Sequence, residues 1–120
     1  MSRPSLLLME DEVLVAMMME DELTDLGWEV AASFGEVGPA LDWLDARDGA
    51  LSAAVLDINL NGEMVFPVAE ALEARGTPFL FLAGYTAPDG ALAFKAPVLN
   101  KPFDAHHLSR ALEGLMKDAA

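Results

Sequence analysis

The sequence predicts an α/β protein, a doubly wound parallel sheet of five strands in a (βα)5 chain. Three observations predict it. Short apolar runs bounded by polar or turn residues recur along the chain, and each reads as a strand buried on both faces. Between them, apolar residues repeat at the i, i+3, i+4 spacing of an amphipathic helix. The two patterns alternate five times, which calls for right-handed crossovers and places helices on both faces of the sheet.

The first run, Ser5-Leu6-Leu7-Leu8-Met9, ends abruptly in Glu10-Asp11-Glu12. Val15, Ala16, Met19, Leu23 and Leu26 then fall on one helical face, with Glu20, Asp21 and Asp25 outside it. Met17-Met18-Met19 reads as packing, with Met19 in the core. Gly27 ends this helix, and the loosely alternating Trp28-Glu29-Val30-Ala31-Ala32-Ser33 reads as an edge strand. Val37, Ala40, Leu41 and Leu44 mark a second helix that exits near Gly49. Trp28 and Trp43 are expected to be partly buried packing residues.

The third strand is Ala53-Ala54-Val55-Leu56-Asp57, followed at once by the polar, glycine-ended Asn59-Leu60-Asn61-Gly62. Val65, Val68, Ala69 and Leu72 form the next helical face, closed by Gly76; Pro67 lies within it, so this helix starts near Pro67 or is kinked there. Thr77-Pro78 leads into Phe79-Leu80-Phe81-Leu82-Ala83, a fourth buried strand, and then Gly84-Tyr85-Thr86. Residues 87–94, with Pro88 and Gly90, are the weakest helix of the chain. Pro97-Val98-Leu99-Asn100 is a short fifth strand running into Lys101-Pro102. A last helix follows with Asp104 as its N-cap and Leu108, Ala111, Leu112 and Leu115 on its core face. His106 and His107 point to different faces and are expected in solvent.

At 120 residues the chain is expected to be one domain, 1–120, with no room for an output domain. A net charge of −13 argues against nucleic acid, because seven Lys and Arg cannot offset twenty Asp and Glu. An anionic membrane surface is disfavoured for the same reason, and a cationic partner surface or a divalent metal is favoured. No cysteine means no disulfide, no thiolate chemistry and no cysteine-based zinc site. The stretch before Glu10 is too short for a signal peptide, and no apolar run reaches the roughly 20 residues of a membrane span. The expected location is cytoplasmic.

Open α/β sheets bind ligands at the carboxyl ends of their strands. There this chain carries Glu10 and Asp11, Asp57, Ala83 and Lys101. Three carboxylates from two strands suit a small hard cation such as Mg²⁺, which takes oxygen ligands and is commonly held beside a substrate phosphate. Lys101 supplies a mobile positive charge for Asp57 or for an anion beside it. The plainer reading is an acidic loop with a buried Asp–Lys pair.

From Met9-Glu10-Asp11-Glu12 through Leu56-Asp57-Ile58-Asn59 to Asn100-Lys101-Pro102-Phe103, the chain resembles a response-regulator receiver domain of two-component signalling. Pro78-Phe79-Leu80-Phe81-Leu82-Ala83-Gly84-Tyr85 and Asn59-Leu60-Asn61-Gly62-Glu63 resemble the FATGUY single-domain regulators more narrowly. The resemblance implies a flavodoxin-like sheet of strand order 2-1-3-4-5. It also implies that Asp57 accepts phosphate from a histidine kinase or histidine phosphotransfer protein. Asp11, Asp57 and the backbone carbonyl of Asn59 would hold Mg²⁺, Glu10 would help through water, and Lys101 would pair with the phosphoryl group, oriented by a cis or strained bond to Pro102. The domain would catalyse only its own phosphorylation and dephosphorylation. It would act on an unknown downstream protein by contact, or serve as a phosphate sink. The acidic face of the first helix, Glu20, Asp21 and Asp25, reads by itself as a solvated face, whereas the resemblance puts this helix against the kinase.

Two positions depart from the family pattern. Ala83 stands where receivers carry Thr or Ser, and Val98 where they carry an aromatic. The switch residues would then be Ala83, Gly84 and Tyr85, with Tyr85 either an aromatic reporter or an exposed loop residue. The missing hydroxyl leaves phosphorylation possible and puts its coupling to the loop 84–94 in question. It also favours the alternative of a degenerate receiver that binds partners without phosphate control. Two enzyme classes on related folds fit poorly. A haloacid-dehalogenase-type phosphatase wants an acid where Asn59 stands, and a flavodoxin wants a phosphate-cradling loop where Glu10-Asp11-Glu12 would repel phosphate.

Overall fold

The computed structural model describes residues 3–47, 49, 51–84 and 89–119. Strands β1 (Ser5–Met9), β2 (Glu29–Phe34), β3 (Ala53–Asp57), β6 (Phe79–Ala83) and β7 (Val98–Asn100) form one parallel sheet in the order β2-β1-β3-β6-β7. Counting only these five, the order is the expected 2-1-3-4-5. Between β3 and β6 a two-stranded hairpin, β4 (Asn59–Leu60) and β5 (Glu63–Met64), stands apart from the sheet.

Alternation along each strand divides the core in two. Leu6, Leu8, Val55, Leu80 and Leu82 pack with Ala16, Met19 and Leu23 of α1 (Val13–Asp25) and Leu108, Leu112 and Leu115 of α4 (Ala105–Ala119). Leu7, Met9, Leu56, Phe79 and Phe81 pack on the other face, with Val37, Ala40 and Leu44 of α2 (Val37–Ala46) and Val68, Ala69 and Leu72 of α3 (Phe66–Ala74). Every residue of β3 and β6 is buried, as uninterrupted apolar runs require. Asp57, at the end of β3, follows Val55 by two and so faces the α1 side.

Two helices, α1 and α3, end where a glycine stands. Gly27 (φ 97°) follows the cap of α1, where the Trp28 N–H donates to Leu23 O and the Gly27 N–H to Thr24 O, each at 3.0 Å. Gly76 (φ 72°) closes α3 with the same pair of bonds, from Thr77 to Leu72 and from Gly76 to Glu73. This double closure needs a left-handed residue. It takes Trp28 out of β2, which therefore starts one residue later than its aromatic suggests, and leaves Trp28 7% exposed, deeper than expected.

Pro67 lies in the first turn of α3, so the helix starts there and is not kinked. Asp104 caps α4 through Oδ1, which accepts the His107 N–H at 2.9 Å, and both histidines are exposed. The weakest expected helix is only a short 3-10 turn, Asp89–Ala93. Its expected start, with Pro88, lies outside the described residues.

Met19 is core, but Met17 and Met18 are not packing residues. They are 56% and 63% exposed and share the outer side of α1 with exposed Val13 and Leu14.

Candidate functional site

β1 and β3 are neighbours in register, Met9 beside Leu56, so the residues that follow them emerge side by side. Glu10 is pinned by its N–H, which donates to Phe34 O at 3.0 Å, and is 4% exposed. Asp57 is 7% exposed, and Asp11 is half-buried beside it. Carboxylate oxygens of Glu10, Asp11 and Asp57 lie within 4.8 Å of one another.

Lys101 enters from the end of β7. Its N–H donates to Ala83 O at 2.7 Å, and its bond to Pro102 is cis. The side chain turns inward: Nζ donates to Asp57 Oδ2 at 3.0 Å and stands 3.9 Å from Glu10 Oε2.

One lysine does not balance three acids in so buried a place. Burial first, then the hydrogen bond and charge of Asp57, push Glu10 up to about 8, against the attraction of Lys101. Burial pulls Lys101 down, but the bond to Asp57 and the charges of Asp57, Glu10 and Asp11 outweigh it, and the ammonium is raised above its usual range. Glu10 Oε2 is buried with no hydrogen-bond partner. An orphaned carboxylate oxygen among oxygen ligands is a group that a hard cation would satisfy, so the donor set fits Mg²⁺.

Asn59 follows on β4. Asn61 (φ 56°) and Gly62 (φ 95°) make the two-residue turn of the hairpin, both left-handed as a type I′ turn requires. Asn59 Oδ1 accepts the Gly62 N–H at 2.7 Å. The side-chain oxygen is thus committed to the turn, and what remains for a cation is the main chain. A cleft of about 870 Å³ opens over these groups, walled by Glu10, Asp57, Lys101 and Asn59 on its polar side and by Met18 and Phe103 on its apolar side. Ala83 ends β6, 3% exposed, and Gly84 is at the rim. Tyr85 lies outside the described residues.

No family model matches the sequence, and no curated protein matches it. Solved structures do. The solution structure of SdrG from Sphingomonas melonis Fr1 is 40% identical, over 97% of this chain and 99% of that one, with a TM-score of 0.79. The chain belongs to the response-regulator receiver domains. The BeF3-activated conformation of SdrG from Pseudomonas melonis Fr1 is 39% identical over 96% of this receiver and 98% of that chain, with a TM-score of 0.77. A response regulator receiver protein from Sinorhizobium medicae WSM419 shares the fold, with a TM-score of 0.85 at 24% identity over 98% of each chain. Receiver domains are phosphoacceptor modules of two-component signalling and not classical enzymes, so that is the class of function this receiver has. Among the described residues, no helix is long and apolar enough to cross a membrane.

The structure brings the expected site residues Glu10, Asp11, Asp57, Asn59, Gly84 and Lys101 to one cleft, whereas Ala83 does not line it and packs in the apolar cluster with Phe79 and Phe81. Sequence reasoning missed the hairpin, although Asn61-Gly62 is the strongest short-range signal for one. It also missed Glu63, whose carboxylate Oε1 accepts the Val37 N–H at 3.1 Å.

Proposed function

We propose that Asp57 is the phosphoacceptor, taking a phosphoryl group from a histidine kinase or histidine phosphotransfer protein. The observation that carries this reading is one buried carboxylate meeting two acids on one side and a lysine at 3.0 Å on the other. Asp57 Oδ bonds to phosphorus while the N–P bond of the donor phosphohistidine breaks, and the imidazole leaves with the electron pair. Lys101 moves from Asp57 to the transferring oxygens and meets their charge. Glu10, Asp11, Asp57 and the Asn59 carbonyl would hold Mg²⁺, with Glu10 acting through water, and the ion would supply positive charge to the same oxygens. The receiver catalyses only its own phosphorylation and dephosphorylation, in the cytoplasm. It passes its state on by contact with a downstream protein or drains phosphate as a sink.

The exposed apolar side of α1, with Leu14, Met17 and Met18 beside the cleft, supports docking of the phosphodonor there, with Glu20, Asp21 and Asp25 at the flank. SdrG has a BeF3-activated conformation, which supports the same chemistry in this relative. The test is Mg²⁺-dependent modification by acetyl phosphate or beryllofluoride, read by NMR. A response in wild type that Asp57→Asn abolishes is expected; an unchanged spectrum, or an unchanged response in Asp57→Asn, overturns the assignment. Ala83 favours a second reading, a degenerate receiver that binds partners independently of phosphate, and the unchanged spectrum is its expected result.

A further inference from the structure

Asp57, at the end of β3, joins two halves of the cation site that come from separate parts of the chain: Glu10 and Asp11 from the end of β1, Asn59 from the β4–β5 hairpin. A hairpin of two two-residue strands has little stability of its own. It is tied to β3 through Ile58, whose N–H donates to Leu82 O at 3.1 Å and whose O accepts the Val65 N–H at 2.9 Å, and its tilt relative to the acids depends on what else it touches.

The turn between β2 and α2 touches both halves. On one side, Phe34 O accepts the Glu10 N–H at 3.0 Å. The next residue, Gly35, lies so close to the acid pair that a Cβ there would come 3.2 Å from Asp11 Cα and 3.4 Å from Glu10 O. On the other side, the Val37 N–H, the first of α2, donates to Glu63 Oε1 at 3.1 Å. The N-cap residue of α2, Glu36, makes no side-chain cap bond. The helix is capped instead by a carboxylate 26 residues further along the chain. That placement suits the N-terminal end of a helix, which favours negative charge and an acceptor for its free N–H groups. Glu63 pairs with Leu60 across the hairpin, and Leu60 is buried in the same apolar cluster as Val37. Asn59 is the residue before Leu60.

We infer that residues 34–37 form a strut between the two halves of the cation site, and that Glu63 and Gly35 are positioning residues for it. Gly35 sets how closely the strut lies against Glu10 and Asp11. Glu63 fixes the hairpin, and with it the Asn59 main chain, to the far end of the strut. Neither residue touches the cation. The inference rests on the Mg²⁺ reading above and adds how the ligand spacing is kept.

The test is titration of the full chain with Mg²⁺ alone, by calorimetry, for wild type, Glu63→Ala, Glu63→Gln and Gly35→Ala. Amide exchange at Val37 and thermal unfolding accompany it. Groups that orient ligands from outside commonly change metal affinity by about tenfold or more. Glu63→Ala is expected to bind Mg²⁺ about tenfold more weakly. Its Val37 amide should exchange faster than the rest of α2. Glu63→Gln keeps an acceptor oxygen and should stay within about threefold of wild type, and Gly35→Ala should lose about as much as Glu63→Ala. If folded Glu63→Ala and Gly35→Ala both bind like wild type, the strut has no such role. If Glu63→Gln binds as weakly as Glu63→Ala, the effect is lost charge and the positioning role is wrong. If Glu63→Ala does not fold, Gly35→Ala decides alone by the same criterion. Wild type that binds no Mg²⁺ defeats the cation reading and this inference with it, whereas tight wild-type binding with unaffected variants defeats only this one.

Discussion

Lys101 Nζ donates to Asp57 Oδ2 at 3.0 Å, so the lysine already meets the carboxylate proposed as phosphoacceptor. Glu10 Oε2 stands 3.9 Å from the same nitrogen, without a hydrogen bond of its own. One cation therefore serves two buried acids at unequal distance. The nearer acid is satisfied, and the farther one is pushed up to about 8, chiefly by burial.

Removing that ammonium should destabilise the metal-free protein. Breaking one side of a buried ion pair costs about 3–5 kcal/mol, but Lys101 is 38% exposed and solvent screens it. Lys101→Met is therefore expected to lose about 1–2 kcal/mol in urea unfolding with chelator present. Added Mg²⁺ should restore part of the loss. Equal stability of the two proteins would mean that the pair contributes nothing to the fold.

The raised value for Glu10 fixes a sign. Folded Glu10 titrates near 8 and the unfolded residue near 4.5, so between these limits the folded state holds more protons. Its contribution to stability is fully present below about 4.5 and is lost as the pH rises toward 8. In chelator, the stability difference between wild type and Glu10→Gln should thus shift against wild type between pH 5 and 8, roughly the interval these pKa values bracket. Mg²⁺ binding to wild type should release protons at pH 7, measured by calorimetry in buffers of different ionisation heat. A flat stability difference and no proton release would show that Glu10 is already ionised.

The strand ends were legible because two local rules, apolar runs for buried strands and ligands at their carboxyl edge, both act on short stretches. Glu10 and Asp57 follow an apolar run directly, and Asp11 and Lys101 come one residue later, so their convergence needed only the strand order. The exposure of Met17 and Met18 was not legible, since three adjacent helical residues face most directions and an apolar partner surface looks like core. Nor was the Glu63–Val37 bond, which joins residues 26 apart in the chain. Trp28 was misplaced because an aromatic before Glu29-Val30 reads as strand, whereas its N–H is needed to close α1.

Ala83 offers a gain-of-coupling experiment. It stands one residue beyond the Asp57–Leu82 pairing, and its O accepts the Lys101 N–H. A threonine hydroxyl bonded to a phosphoryl oxygen is worth about 1.5–3 kcal/mol. Ala83→Thr should therefore enlarge the beryllofluoride-induced shifts of Gly84 and of the 3-10 turn Asp89–Ala93. Loop spectra identical to wild type in both states would mean that this receiver does not couple through position 83.

Gly90 tests how firmly that turn is seated. A Cβ at position 90 would come 2.5 Å from Phe66 Cε2, closer than real side chains approach. The ring is held on two sides: it stacks on Phe94 at 5.9 Å and meets the edge of Phe81 at 6.0 Å, while Phe94 also packs against Phe79. Overpacking of this kind costs about 1–3 kcal/mol, and Gly90→Ala is expected to lose that much in urea unfolding. Phe66→Leu opens the space and costs stability by itself, so the two substitutions should be less than additive when combined. Strict additivity would place the strain elsewhere, because residues that do not touch do not couple.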